Sequence, residues 1–540
     1  MHLNVKSICI VGGGSSGWMT AAAIARLLPD IKLTLVESSD IPVIGVGEST
    51  IGHINLYLSM LGIRDEDWMA ACNATYKTSI KFIDFRENPG AEPHKFHYPF
   101  GIFDFTDKPR GVMEWFLAAA DRGDIDPSNF AEFFHDAILM TDQNKMTRNE
   151  DFRVRGFNFA EDTAYHMDAG LFGQWLKENI CLPSGMTHLV DTVERVVQGE
   201  DAAVEKIITK GGEHIRADLF VDCSGFRSIL LEQTLNEPFI SFHDTLLNDR
   251  AIATVIPYID REREMENYTS CTAIECGWVW NIPLWNRIGT GYVYSSKHAT
   301  EAEAEAQFRK HLKSNRMMFP DAERADSCEV RHIKIKHGVH ERAWVKNVVG
   351  IGLANGFIEP LESTGLMLTH EGIVKLCSAL MMRGGTVSNY DVDLFNYGFQ
   401  EQIIGFKDFI SQHYALSMRN DTPYWQEVSG KVTYSSAMNS SVNLAGIGPS
   451  GNSSSDLGFR LHRTRKFDNN MGGIIYIAAG MGYNPVEKNY IRYEDRKHHE
   501  SPEIRKPVYD NWLKHRDEAL AHIATLPTHY QFLKDTIYNK

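Results

Sequence analysis

A short apolar run, Ser7-Ile8-Cys9-Ile10-Val11, breaks into Gly12-Gly13-Gly14-Ser15-Ser16-Gly17, and an alanine-rich helical pattern follows from Trp18 to Leu28. A second β run, Lys32 to Val36, then ends at Glu37. This order of elements is a βαβ unit. A glycine turn alone is a weak signal, because structural βα turns use glycine too. Here it follows a strand, opens a helix and is succeeded by an acid at the end of the next strand. Those three features together predict a dinucleotide site: backbone close to a pyrophosphate at the helix start, with Glu37 accepting from a ribose hydroxyl. A second glycine-rich stretch, Gly45-Val46-Gly47-Glu48-Ser49-Thr50, follows soon after. A nicotinamide-only enzyme has no need of it; in FAD enzymes a loop here can run along the isoalloxazine. The alternative is a surface turn.

Further β runs at Leu219–Gly225 and Val348–Gly352 extend the expectation to an α/β (α+β) fold with mixed sheets. From about Asp391 onward the pattern becomes aromatic and amphipathic-helical. The expected division is therefore a body over 1–390 and a mostly helical cap over 391–540, with a Ser/Asn/Gly-rich loop at 435–458. The net charge of −15 argues against a nucleic-acid surface. The eight cysteines are scattered without a CxxC pair, so reduced thiols and a cytoplasmic setting are expected. The apolar stretch Ile474 to Met481 is too short to span a bilayer, and no membrane association is expected.

Five phrases then stand in series: Gly12–Met19 (GGGSSGWM), Gly45–Thr50 (GVGEST), Lys77–Phe82 (KTSIKF), Gly277–Pro283 (GWVWNIP) and Phe357–Leu366 (FIEPLESTGL). In this order and spacing, up to about residue 430, the chain resembles the flavin-dependent tryptophan halogenases. The resemblance implies an FAD-binding monooxygenase-type fold, FADH2 supplied by a separate flavin reductase, a halide ion and a small aromatic substrate. It implies cofactor contacts at Gly12, Gly13, Gly14, Gly17, Trp18, Glu37, Ser38, Ile44, Val46, Ser49, Val190, Leu353 and Leu366.

The residues have readings of their own beside that resemblance. Lys77, near the start of an alternating strand, reads on its own as a solvated charge. The resemblance makes it the essential lysine, whose nitrogen hydrogen-bonds hypohalous acid or forms a haloamine. Lys81 is the other lysine in reach, and the motif does not make it the catalytic one. Glu362 reads as a carboxylate near the start of a helix that continues through Met382, with Ser363 or Thr364 as N-cap. In the family the matching glutamate lies beside the lysine, where it can orient the halogenating species, stabilise the arenium or take its proton. Thr364 and Gly365 match the halide site, and free N–H groups at a helix start attract an anion. Trp278 and Trp280 share one face of a strand, as a core pair would; in the family these tryptophans separate flavin from substrate.

On the substrate side, His94 and His97 flank Phe96 without a metal-ligand set beside them. Phe100 matches a phenylalanine that stacks on the indole, and Tyr98 stands where the family commonly carries a histidine. The His498-His499 pair reads as surface. The paired tyrosines and Phe-Trp pair of the free-tryptophan enzymes have no counterpart in Gly458 to Gly482, where Phe459-Arg460-Leu461-His462 and Phe467-Asp468-Asn469 occur instead. Free tryptophan is thus expected to be a poor substrate against an indole, phenol or other electron-rich arene. An aromatic hydroxylase on the same scaffold is the alternative enzyme, and a flavin-binding interaction scaffold the non-enzymatic one. Lys77, Glu362 and the two tryptophans speak against the first, and the presence of Lys77 and Glu362 against the second. An oligomer is compatible with all of this.

Overall fold

The computed structural model describes residues 2–39, 46–101, 116, 119–120, 123–431, 472–483 and 502–539. They form two compact units, each assembled from three chain segments. One comprises Met1–Ala74, Tyr165–His243 and Lys334–Ile404; the other comprises Thr75–Ala164, Asp244–Ile333 and Gly405–Lys540. The linear division at residue 390 expected from composition differs from this interleaving. Composition changes along the chain, whereas a sheet collects strands from distant segments. The loop expected at 435–458 and the segment Phe459 to Phe467 lie outside the described residues, as does His498-His499.

The first unit is built on a six-stranded sheet in the order Trp344–Val345, Val348–Gly350, Leu219–Asp222, Ser7–Val11, Lys32–Glu37, Thr187–Val190. All neighbouring pairs run parallel except the outer hairpin of Trp344–Val345 with Val348–Gly350. The inner parallel strands Ser7–Val11 and Leu219–Asp222 are covered on both faces, which is why they are short, mostly apolar runs. Cys9, Val11, Val36, Phe220 and Val348 form one buried cluster with Val204, Ile207 and Leu231. The helix Ser15–Leu27 follows the glycine turn, as the alanine-rich pattern predicts.

The second unit carries an aromatic-rich, mostly antiparallel sheet. Six of its seven strands run Arg250–Ile256, Ile288–Tyr294, Gly277–Pro283, Tyr268–Ile274, Ser79–Ile83, Lys95–Pro99, with Lys95–Pro99 at the edge. Only Tyr268–Ile274 with Ser79–Ile83 is parallel among these pairs. Helices dominate the described chain beyond residue 391, including Pro423–Lys431, Gly472–Gly480 and Pro502–Ala524. No helix among the described residues is long and apolar enough to cross a membrane. All eight cysteines are buried and none forms a disulfide.

Candidate active site

In the first unit the glycine turn divides its work. Gly12 has φ +115°, and a Cβ there would stand 2.2 Å from the Cys223 carbonyl oxygen. A Cβ on Gly17 would stand 1.9 Å from the Gly12 carbonyl oxygen, so only glycine lets the helix start pack this closely. Gly14, by contrast, faces open space, with nothing among the described residues within 4 Å. It is the N-cap of the helix Ser15–Leu27 and offers no capping side chain, which leaves the first-turn N–H groups available to a pyrophosphate. The residues therefore fit the dinucleotide that the motif implies.

Glu37 closes the strand Lys32–Glu37, and its carboxylate lies over Gly13, where a Cβ would come within 1.7 Å of Oε2. Its Oε1 is 2.8 Å from His188 Nε2 and 3.3 Å from Lys177 Nζ. Lys177 Nζ in turn stands 5.1 Å above the Trp18 ring. Lys177 and His188 are additions to the sequence reading. They reach Glu37 from 140 and 151 residues away, beyond the range of any local pattern. Ser38 Oγ is 2.8 Å from Thr192 Oγ1, and Val190 and Leu353 present exposed apolar surface in the same unit. Val46 is half-buried and Ser49 and Leu366 are buried, while Ile44 and Gly45 lie outside the described residues.

Glu48 keeps an exposed edge yet has protein packed around it, and that enclosure pushes its carboxyl up to about 7. The folded protein thus binds this proton more tightly than the unfolded chain does. The contribution is fully present below 4.5 and is lost as pH rises through about 7. The melting temperature of the wild type relative to a Glu48→Gln variant should fall across that window; a parallel pair of pH–melting curves would contradict this.

The second glycine-rich phrase and the FIEPLESTGL phrase meet within this unit. Pro360–Glu362 forms one 3-10 turn, Ser363 takes a left-handed conformation at φ 58°, and the helix Gly365–Met382 begins two residues later. Ser363 Oγ donates to Ser49 Oγ at 3.0 Å, tying the two phrases together. Thr364 is the N-cap residue, but its hydroxyl caps nothing; it is buried without a hydrogen-bond partner among the described residues. Among the described residues, space beside Gly365 is open to 4 Å. An unspent hydroxyl, free helix-start N–H groups and room beside a glycine suit a monatomic anion. Glu362 is buried on the turn just before them.

In the second unit Lys77 is completely buried, contrary to the solvated charge its local sequence suggests. It ends the strand Thr75–Lys77, and its Nζ lies 4.8 Å from the centre of the Phe100 ring. Phe100 is fixed from the backbone, where its N–H donates to the Thr78 carbonyl at 3.0 Å. The attraction of an ammonium to an aromatic face, about 2 kcal/mol when water is excluded, offsets only part of the penalty of desolvating it. Tyr98 is half-buried, its ring centre 6.3 Å from those of both Phe100 and Tyr476. Tyr476 belongs to a buried apolar cluster with Phe116, Phe130, Phe133, Phe134 and Trp512. None of these was singled out from sequence; they come from segments far apart in the chain, and only the fold assembles them. Trp278 and Trp280 sit on the strand Gly277–Pro283 with ring centres 6.1 Å apart, Trp278 fully buried and Trp280 half-buried. His94 and His97 hydrogen-bond elsewhere, with Arg86 and with Ser79 and Asp142 respectively.

The chain matches the tryptophan halogenase family over residues 7–489. It is 32% identical over 553 residues to the tryptophan 7-halogenase RebH of Lentzea aerocolonigenes, covering 99% of each chain. Among solved structures it resembles the VirX1 apo structure at a TM-score of 0.88 and 43% identity, covering 100% of both chains. It also resembles the tryptophan 6-halogenase SttH from Streptomyces toxytricini at a TM-score of 0.81 and 30% identity, covering 98% of this chain and 99% of that one.

Proposed function

The chain belongs to the tryptophan halogenase family of flavin-dependent enzymes, and on that premise we propose that it delivers electrophilic halogen through Lys77 to an electron-rich arene of the indole or phenol type. The fold is the FAD-binding monooxygenase type, and the cofactor is FAD, used as FADH2 from a separate reductase with halide as co-substrate. Reduced FAD, O2 and halide together supply hypohalous acid. The reductase is met transiently or by diffusion.

The chain's own residues divide the remaining work. The turn Gly12–Gly17 and the helix start after it hold the pyrophosphate, with Glu37 toward the ribose. Trp18, Ser38, Ile44, Val46, Ser49, Val190, Leu353 and Leu366 complete the cofactor set. Thr364 and Gly365 hold the halide. Lys77 donates a hydrogen bond to the oxygen of hypohalous acid, or its free amine takes the halogen and releases water. Phe100 and Tyr98 line the arene, and Trp278 and Trp280 keep it from the flavin. Glu362 orients the halogenating species or takes the ring proton as aromaticity returns. The observation that carries this reading is the burial of Lys77 over Phe100: a lysine is desolvated at a cost, and here the cost is met beside an aromatic ring that an arene can stack on.

The substrate reading is narrower than the family name. The described cluster around Tyr98 is apolar, which supports a ring without a zwitterionic tail. In a mixture of equal indole and L-tryptophan, with FADH2 regeneration and bromide, halogenated indole should exceed halogenated tryptophan by about tenfold or more. Faster turnover of L-tryptophan would overturn the substrate assignment while leaving the halogenase reading in place.

A further inference from the structure

The strands Ser79–Ile83 and Lys95–Pro99 pair antiparallel, with Ser79 opposite Pro99 and Lys81 opposite His97. On the face carrying Ser79, Lys81 and His97 a side-chain chain crosses between them. His97 Nδ1 is 2.9 Å from Ser79 Oγ, and His97 Nε2 is 3.1 Å from Asp142 Oδ1. Lys81 Nζ donates to the same Asp142 oxygen at 3.0 Å. Asp142 is the last residue of the helix Asp136–Asp142, so the chain ties both strands to a helix.

The protonation pattern follows from the partners. Burial pushes His97 down, toward the neutral ring. Burial opposes the Asp142 charge, but His97 and Lys81 beside it outweigh that and hold its carboxyl far below the usual range. A neutral ring between a carboxylate and a hydroxyl donates from Nε2 to Asp142 and accepts at Nδ1 from Ser79. The connectivity is that of a nucleophile, base and acid, but Ser79 is fully buried and no substrate can reach its hydroxyl. The chain is a clamp.

What it clamps lies at one end of the strand pair, where Ser79 faces Pro99. Lys77 is two residues before Ser79, and Phe100 is the residue after Pro99, its N–H bonded to the Thr78 carbonyl. Among the described residues Lys95–Pro99 has one sheet neighbour, so its register is held by a single backbone ladder and by what its side chains bond and bury. A slip of one residue would move Phe100 by about 3.3 Å and turn Tyr98 to the opposite face.

We propose that His97 is a positioning residue for halogen transfer, fixing through Ser79 and Asp142 the strand register that holds Phe100 over Lys77. The proposal rests on the reading of Lys77 as the delivery group. His97→Phe removes both hydrogen bonds but keeps a ring, whereas His97→Gln keeps an amide donor for Asp142 and an acceptor for Ser79. The readouts are the FAD dissociation constant, the moles of halogenated indole formed per mole of FADH2 oxidised, and the hypohalous acid caught by a scavenger.

In His97→Phe, FAD affinity should stay unchanged while product per FADH2 falls about tenfold and scavenged hypohalous acid rises, since displacements of about 1 Å cost up to a hundredfold. His97→Gln should recover most of the loss. Coupling within twofold of wild type in His97→Phe overturns the proposal, and so does a Gln variant as impaired as Phe. Should His97→Phe not fold, Ser79→Ala carries the test, with coupling reduced about threefold expected and unchanged coupling overturning it. Lys77→Ala run in parallel separates the two readings. Persisting halogenation there defeats the delivery role itself; loss there with intact coupling in His97→Phe defeats the clamp alone.

Discussion

Replacing Lys77 with alanine should abolish arene halogenation, a loss of roughly a thousandfold or more in kcat/KM, with FAD affinity unchanged. The size follows from what the side chain is. Lys77 is fully buried and its ammonium sits over Phe100, so no neighbouring water can take its place at low cost. The alanine variant also opens a cavity, which by itself costs stability. Lys77→Met separates the two effects, because it keeps the apolar stem and removes the nitrogen. Burying an ammonium carries a desolvation penalty that methionine does not. The methionine variant should therefore melt at or above the wild-type temperature while remaining as inactive as alanine. Such a gain in stability with complete loss of function marks a residue retained for chemistry. A methionine variant that halogenates would show that the nitrogen is dispensable.

The second large effect is at Glu362, where glutamine keeps shape and hydrogen-bonding capacity but removes the charge. Glu362 is buried on the turn Pro360–Glu362, immediately before the left-handed Ser363 and the helix start at Gly365. A carboxylate that accepts a proton or faces a developing cation contributes only when charged. Glu362→Gln should lower kcat by about a hundredfold with the halide KM within a few-fold of wild type. Assays across halide concentration separate this from loss of the anion site, which would raise the halide KM instead. An unchanged kcat would remove Glu362 from the chemistry.

The parts of the fold readable in advance were those made by local pattern. The βαβ unit from Ser7 to Glu37 follows from an apolar run, a glycine turn and an alanine-rich period, all contiguous. The helix from Gly365 and the strand Gly277–Pro283 were legible for the same reason. Lys77 was not legible by pattern, since a single lysine on a strand carries no mark of burial; the family resemblance located it. Lys177 and His188 at Glu37, Tyr476 beside Tyr98, and Asp142 behind His97 were illegible because each joins residues far apart in the chain. The interleaving of the two units has the same origin. His97 is the instructive case: the sequence showed a histidine without a metal set, and its partners Ser79 and Asp142 supply the reason it is buried there.

One measurement separates halogenation from hydroxylation most directly: the mass of the arene product formed with FADH2 under 18O2, with chloride, with bromide and without halide. The predicted product gains the supplied halogen, with its isotope pattern, contains no oxygen-18, and is absent when halide is withheld. A product bearing oxygen-18 and formed at the same rate without halide would make this chain a hydroxylase and contradict the account.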